Sequence, residues 1–357
     1  MIQLLLFHSR NIARSFAGIA VILASLTVAA SAAPNTLRIY FVDVEGGQAT
    51  LFVTPTGQSL LIDSGWPGND GRDADRIVAT AKQAGLSKID FVLLTHFHTD
   101  HAGGAPQLAA RIPIGTFIDH GDNREATDAP TVDAWHAYQQ LLATKKYQRL
   151  TVKPGDELPI SGIGAKVVSS DGAVLDKPLE GAGKPNPACQ DAPVATADQT
   201  ENVRSLGVIL TFGKLTILDL GDLTMDKELQ LMCPVNKLGK VDIYIVSHHG
   251  WSQSGSAPFV YGIEPRVAIM DNGAKKGGTP ATWDILRKAP TLEDLWQLHF
   301  SEEGGSAHNS PAEFIANPAG ADEAYSLQLT ASPDGTFAVF NARTKKTKAY
   351  PAAKVKK

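Results

Sequence analysis

Cysteine, methionine and aromatic side chains are all scarce in this chain: 357 residues hold two Cys, four Met and 7% Phe, Trp and Tyr. Two cysteines are too few for a disulfide scaffold or a four-cysteine zinc site, and Cys189 and Cys233 lack zinc-type spacing. In an oxidising compartment they are expected to bridge a loop of about 44 residues. An excess of positive charge is also missing. With 37 acidic and 33 basic residues the net charge is −4, so the chain as a whole is not a basic nucleic-acid binder. Long apolar runs are confined to the amino terminus, which excludes a multi-span channel. Glycine (32) and proline (21) occur in ordinary numbers, so collagen-like and low-complexity architectures are out. The length admits one large α/β domain or two small ones.

Residues 1–32 carry Arg10 and Arg14 and no acid, run apolar from Phe16 to Ala30, and end in Ala30-Ser31-Ala32 before Pro34. This reads as a secretory signal peptide. The apolar stretch of about 15 residues is short of the roughly 20 that a membrane span needs. Cleavage would give an exported protein, periplasmic or extracellular, with no transmembrane segment. At the other end, residues 343–357 hold seven basic side chains and no acid, and read as a solvated basic tail. Residues 33–342 then form the working domain, with a net charge of −13. An acidic body argues against a long nucleic-acid groove.

Within that domain the pattern alternates between short strands and helices. Leu37–Val42, Ala49–Val53 and Ser59–Ile62 read as a β-meander, Asp73–Ala84 as an amphipathic helix, and Phe91–Leu94 as a buried strand. Ile112–Ile118 reads as another strand and Val132–Tyr147 as a helix. Residues 171–202, with four prolines and no periodicity, read as a loop insertion. A hairpin around Gly213-Lys214 follows, then a helix near Lys227–Met232, strands at Val241–Val246 and Val267–Met270, a helix over Pro280–Lys288, and closing strands near Ser326–Thr330 and Phe337–Phe340. Both halves place a His-rich loop after an apolar strand, a plan that two sheets between helical layers would accommodate.

The chemistry is concentrated in Thr95-His96-Phe97-His98-Thr99-Asp100-His101, four metal-competent side chains within six positions directly after a strand. Imidazole and carboxylate are the donors that zinc and similar ions prefer. In an extended stretch His96 and His98 face one side and can share an ion, while Asp100 and His101 can address a second. Downstream, Gly221-Asp222 puts a carboxylate at a strand tip, and Ser247-His248-His249-Gly250 repeats the strand-to-histidine arrangement.

His96-x-His98-x-Asp100-His101 resembles the signature of the metallo-β-lactamase superfamily, with Gly221-Asp222 and His249-Gly250 similar to its bridging aspartate and final histidine. The resemblance implies an α/β, four-layer αββα sandwich and a hydrolase with two divalent ions, zinc or manganese. Val42-Asp43-Val44-Glu45-Gly46-Gly47-Gln48-Ala49, Leu61–Gly65 and the doubled His-His-Gly resemble one branch, the hydrolase domain of competence-type DNA-internalisation proteins. On this pattern His96 and His98 hold the first ion, Asp100, His101 and His249 the second, and Asp222 both; Asp100 also orients the attacking hydroxide. His248 is either a ligand or an outer partner, and Asp63 accepts from a ligand N–H. His120 lies at the mouth of the site or on a surface loop. Three departures stand out. Residues 196–205 lack the histidine that many relatives carry there, with Asn202 the nearest polar substitute. Gln48 replaces an aspartate, and Gly277-Gly278-Thr279-Pro280 lacks a His-Pro pair. The implied substrate is a phosphodiester, small or nucleic acid; a lactone, thioester or β-lactam substrate, or a metal-binding protein without turnover, are the alternatives.

Overall fold

A computed structural model describes residues 35–320 and 323–353; the expected signal peptide lies outside them. The first half runs β1 (Leu37–Phe41), β2 (Thr50–Val53), β3 (Ser59–Ile62), α1 (Arg72–Gln83), β4 (Ile89–Leu93), α2 (Thr99–Ala102), α3 (Ala105–Ala109), β5 (Ile114–Asp119), α4 (Ala129–Ala143) and β6 (Gln148–Thr151). The second runs β7 (Gly164–Ser170), β8 (Ala173–Val174), β9 (Gly207–Phe212), β10 (Leu215–Asp219), α5 (Met225–Met232), β11 (Ile243–Ile245), α6 (Ala257–Ile263), β12 (Val267–Met270), α7 (Pro280–Lys288), β13 (Asp294–His299) and β14 (Ile315–Asn317). The chain then returns as β15 (Leu327–Ala331), β16 (Phe337–Asn341) and β17 (Lys346–Tyr350).

Among the described residues these strands form two sheets, of nine strands in the order β17-β16-β15-β1-β2-β3-β4-β5-β6 and of eight in the order β14-β13-β12-β11-β10-β9-β7-β8. Alternation along each strand divides the side chains between two faces. Leu37, Ile39 and Phe41 of β1 point into a core shared with Ile217, Ile243, Ile245 and Ile269 of the opposite sheet. The outer face of the first sheet packs on Ile77, Val78 and Ala81 of α1 and Trp135 and Tyr138 of α4. That of the second packs on Leu231 of α5, Phe259 and Ile263 of α6 and Leu286 of α7. The result is a helix–sheet–sheet–helix sandwich with three apolar layers.

Each sheet is mixed, and its parallel part carries the site. β3, β4, β5 and β6 are mutually parallel, as are β10 through β14. All of their carboxyl ends therefore open on one edge of their sheet, where ligands collect in α/β proteins.

Two expectations change. Residues 343–357 are not a solvated tail as far as they are described, because β17 pairs antiparallel with β16. Its basic residues are exposed, but Tyr350 is buried, stacked on Phe337 with its hydroxyl between Trp296 Nε1 (2.9 Å) and Asp294 Oδ2 (2.6 Å). Exposed lysines on an edge strand protect it from pairing further. The 171–202 segment is likewise more structured than a bare loop. It contains β8 and a 3₁₀ turn at Pro187–Asp191, and the Cys189–Cys233 disulfide ties it to the end of α5.

Candidate metal centre

Asp222 stands at the middle of the site. It follows β10 after Gly221, whose φ of 54° only glycine adopts freely. A Cβ at Gly221 would also lie 2.8 Å from the Thr95 side chain. Four imidazoles direct Nε2 toward this carboxylate: His101 at 3.2 Å, His248 at 3.5 Å and His96 at 4.0 Å from Oδ2, and His249 at 3.5 Å from Oδ1. Asp100 joins them, its Oδ2 lying 3.2 Å from Nε2 of both His101 and His249. Asp100, His101, Asp222 and His249 present one donor atom each within 4.8 Å of one another.

In three of the four imidazoles, His96, His101 and His248, Nδ1 is hydrogen-bonded on the side away from Asp222, the arrangement that fixes tautomer and ring orientation around metals. His101 Nδ1 donates to Asp63 Oδ2 at 2.7 Å, and His96 Nδ1 lies 3.0 Å from the Thr95 hydroxyl, which itself donates to Asp63 Oδ2 at 2.7 Å. His248 Nδ1 lies 3.4 Å from Ser254 Oγ, and His249 Nδ1 is 3.4 Å from Asp271 Oδ1. His98 is turned differently. Its Nε2 pairs with Glu125 Oε2 at 3.1 Å, which leaves Nδ1 as its available ligand atom, and its ring sits 4.6 Å from that of His96.

The electrostatics suit a cation. Burial opposes ionisation of Asp100 and Asp222, yet Lys276 and His101 beside Asp100, and His101 and His249 beside Asp222, hold both carboxyls well below their ordinary range. Burial also works against a charge on His101, but Asp222, Asp100 and Asp63 carry its pKa well above normal. His96, where burial adds to the repulsion of His101 and His98, moves well below it. Burial brings His248 down to about 4. His96 Nε2 and Asp222 Oδ1 are buried without a hydrogen-bond partner, a state that an ion would relieve. The donor set, imidazole nitrogens and carboxylate oxygens, fits a divalent transition metal.

The remaining expected residues fall around this centre. Asp63, fully buried at the end of β3 with φ 61°, accepts from the Thr95 N–H as well as its hydroxyl, and so supports His96 and His101 together. Asn202 lies beside His248, with Nδ2 3.4 Å from Nε2. His120 is not on a surface loop. It is buried against Phe97 and bonded to Glu201 Oε2 at 2.9 Å, while the Glu201 N–H holds the Glu125 carboxylate that meets His98. Gln48 donates to the buried Asp219 at 2.7 Å, and burial raises that acid to about 7. His299 belongs to a separate cluster with Asp43 (2.7 Å) and Arg76.

Sequence reasoning missed four contributors: Glu125, Glu201, Asp271 and Lys276. Asp271 follows β12 as Asp222 follows β10, a signal that was available. Lys276 lies in the Gly273–Gly278 turn, its ammonium bonded to Asp100 Oδ2 and 5.1 Å from the centre of the Trp66 ring. The turn passes so close to the site that a Cβ at Gly277 would lie 2.0 Å from the His249 carbonyl.

A family model of the metallo-beta-lactamase superfamily matches residues 42–194. The chain carries the metallo-β-lactamase fold. It is similar to Recombination protein 2 of Haemophilus influenzae, 23% identical over 268 residues, which are 74% of this chain and 28% of that protein. It is also similar to ComE operon protein 3 of Bacillus subtilis, 27% identical over 195 residues, 54% of this chain and 21% of the other. A hydroxyacylglutathione hydrolase of Stenotrophomonas maltophilia is 40% identical over 91 residues, 26% of this chain and 32% of that enzyme. The chain spans less than a third of the length of each of these relatives. No helix among its described residues is long and apolar enough to cross a membrane.

Proposed function

We propose that the protein is an exported two-metal hydrolase of phosphodiesters. The observation that carries this reading is the Asp222 carboxylate ringed by four imidazoles, three of them hydrogen-bonded from behind, with Lys276 beside them. His96, His98 and Asp222 would hold one ion and Asp100, His101, Asp222 and His249 the other. Such a pair supplies an activated water at neutral pH and charge stabilisation for the departing oxygen. The chain's own part is orientation. Asp63 and Thr95 fix the tautomers of His96 and His101, Glu125 does so for His98, and Asp100 aligns the attacking hydroxide with its carboxylate.

Lys276 favours an anionic substrate over an uncharged lactone. Its side chain is 28% exposed, so the ammonium can turn from Asp100 to a phosphoryl oxygen. The acidic body of the chain favours a small phosphodiester, such as a phosphorylated envelope compound, over a long nucleic acid. A second reading, thioester hydrolysis, draws on the similarity to hydroxyacylglutathione hydrolases.

The test is turnover of bis(p-nitrophenyl) phosphate beside a neutral lactone and an uncharged thioester. Diester cleavage is expected, with Lys276→Ala raising KM for the diester about 10- to 100-fold, the worth of a charge-assisted hydrogen bond. Turnover of the lactone or thioester without diester cleavage would overturn the phosphodiesterase reading.

A further inference from the structure

We infer that His248 is a ligand of the first ion, supplying the imidazole that residues 196–205 do not provide, so that the two adjacent histidines are divided between the two metals. The inference rests on the two-metal site proposed above but not on its reaction.

Neighbouring residues in a strand point to opposite faces, and in a helix they diverge by about 100°. A His-His pair therefore does not ordinarily bring both rings to one group. Here both residues are left-handed, His248 at φ 55° and His249 at φ 53°, a conformation that L-residues with a Cβ resist. Such backbones persist where surrounding structure enforces them, and they gather at functional sites. The consequence is specific. His248 Nε2 reaches Asp222 Oδ2 and His249 Nε2 reaches Asp222 Oδ1, each at 3.5 Å, so the pair addresses the two oxygens of one carboxylate. Their rings are 6.4 Å apart at 69° and make no stack.

His248 is also mounted like the other imidazoles, with Nδ1 toward Ser254 and Nε2 toward Asp222. Its Nε2 faces Asp222 Oδ2, as those of His96 and His101 do, but it falls outside the Asp100, His101, Asp222 and His249 group whose donor atoms all lie within 4.8 Å of one another, which leaves it to the first ion. Asn202, within the histidine-free stretch 196–205, lies 3.4 Å from His248 Nε2, and its own Oδ1 is buried without a partner.

The test is metal stoichiometry of the purified protein, by equilibrium dialysis against zinc and by the visible bands of the cobalt form, with folding followed by circular dichroism. Wild type is expected to hold two ions. His248→Gln and His248→Ala should lose one ion, or bind it at least tenfold more weakly, and keep the other; His249→Ala should lose the other. Asn202→His in the His248→Ala background should restore the second equivalent, which a packing role for His248 would not produce. His136→Ala, on the exposed face of α4, controls for loss of a histidine. Folded His248 variants that keep two ions at wild-type affinity would overturn the inference while leaving the two-metal site standing. A wild type that binds no zinc would overturn the site itself.

Discussion

Asp63→Asn is a change of one atom that the structure predicts to disable both ion positions. The carboxylate is fully buried and accepts three hydrogen bonds: Thr95 N–H on Oδ1 at 2.7 Å, and the Thr95 hydroxyl and His101 Nδ1 on Oδ2, each at 2.7 Å. Asparagine fits the same volume and tolerates the left-handed φ of 61°. Its oxygen must stay on the Thr95 N–H, because a donor there would face a donor. The amide nitrogen then replaces Oδ2 and donates to His101 Nδ1 and to the Thr95 hydroxyl, reversing both bonds. His101 becomes an Nε2–H tautomer. The Thr95 hydroxyl turns toward His96 Nδ1, 3.0 Å away, and gives His96 the same fate. Neither Nε2 can then hold a metal. Loss of such an outer partner weakens metal binding about 10- to 100-fold, or about 1.4–2.7 kcal/mol, and two rings respond to this one. The loss of a charge-assisted bond should cost folding about 1–3 kcal/mol. Zinc affinity measured by competition with a chromogenic chelator, on protein shown to be folded, decides the matter. Wild-type affinity in Asp63→Asn would refute the tautomer argument.

Two further outcomes concern stability. Glu228 of α5 is buried, with Oε2 accepting from the Gly255 N–H at 2.8 Å, and burial raises its pKa from 4.5 to about 8. The acid is thus more basic folded than unfolded, and its contribution is present below about pH 4.5 and lost as pH rises toward 8. Across that window stability from urea titrations should fall by up to about 1.4 kcal/mol per pH unit more in wild type than in Glu228→Gln; parallel curves would show that Glu228 ionises normally. Tyr350→Ala should lower stability by about 3–5 kcal/mol, as for a core aromatic, because the ring packs on Phe337 and bonds Trp296 and Asp294. A loss below 0.5 kcal/mol, typical of a surface site, would return residues 343–350 to the status of a tail.

Much of the architecture was legible because buried parallel strands are apolar runs, and those ending before His96, Asp222 and His248 are unmistakable. The His96–His101 segment is a local pattern, so its residue types announce their chemistry without any tertiary information. What was hidden depends on distant partners. His120 carries the same strand-end signal as His96, yet its environment is set by Glu201, 81 residues away. Glu125 has no motif of its own and matters because it meets His98. Lys276 sits among glycines in a turn whose proximity to Asp100 only the fold reveals. β17 was masked by its charges: four of its five positions are exposed, and Tyr350 alone reports the core. The split of His248 from His249 needs two left-handed backbones that no spacing rule marks.

If Asp222 is shared by two ions that together cleave a phosphodiester, metal content and turnover must fall together when it is removed. Metal content of the purified protein, measured with bis(p-nitrophenyl) phosphate hydrolysis for wild type, Asp222→Ala and His98→Ala, tests it most directly. Two equivalents and diester cleavage are expected in wild type, with activity abolished in both variants and more metal lost from Asp222→Ala than from His98→Ala. A folded wild-type protein that takes up no divalent metal, or an Asp222→Ala variant that retains both ions and full activity, would contradict it.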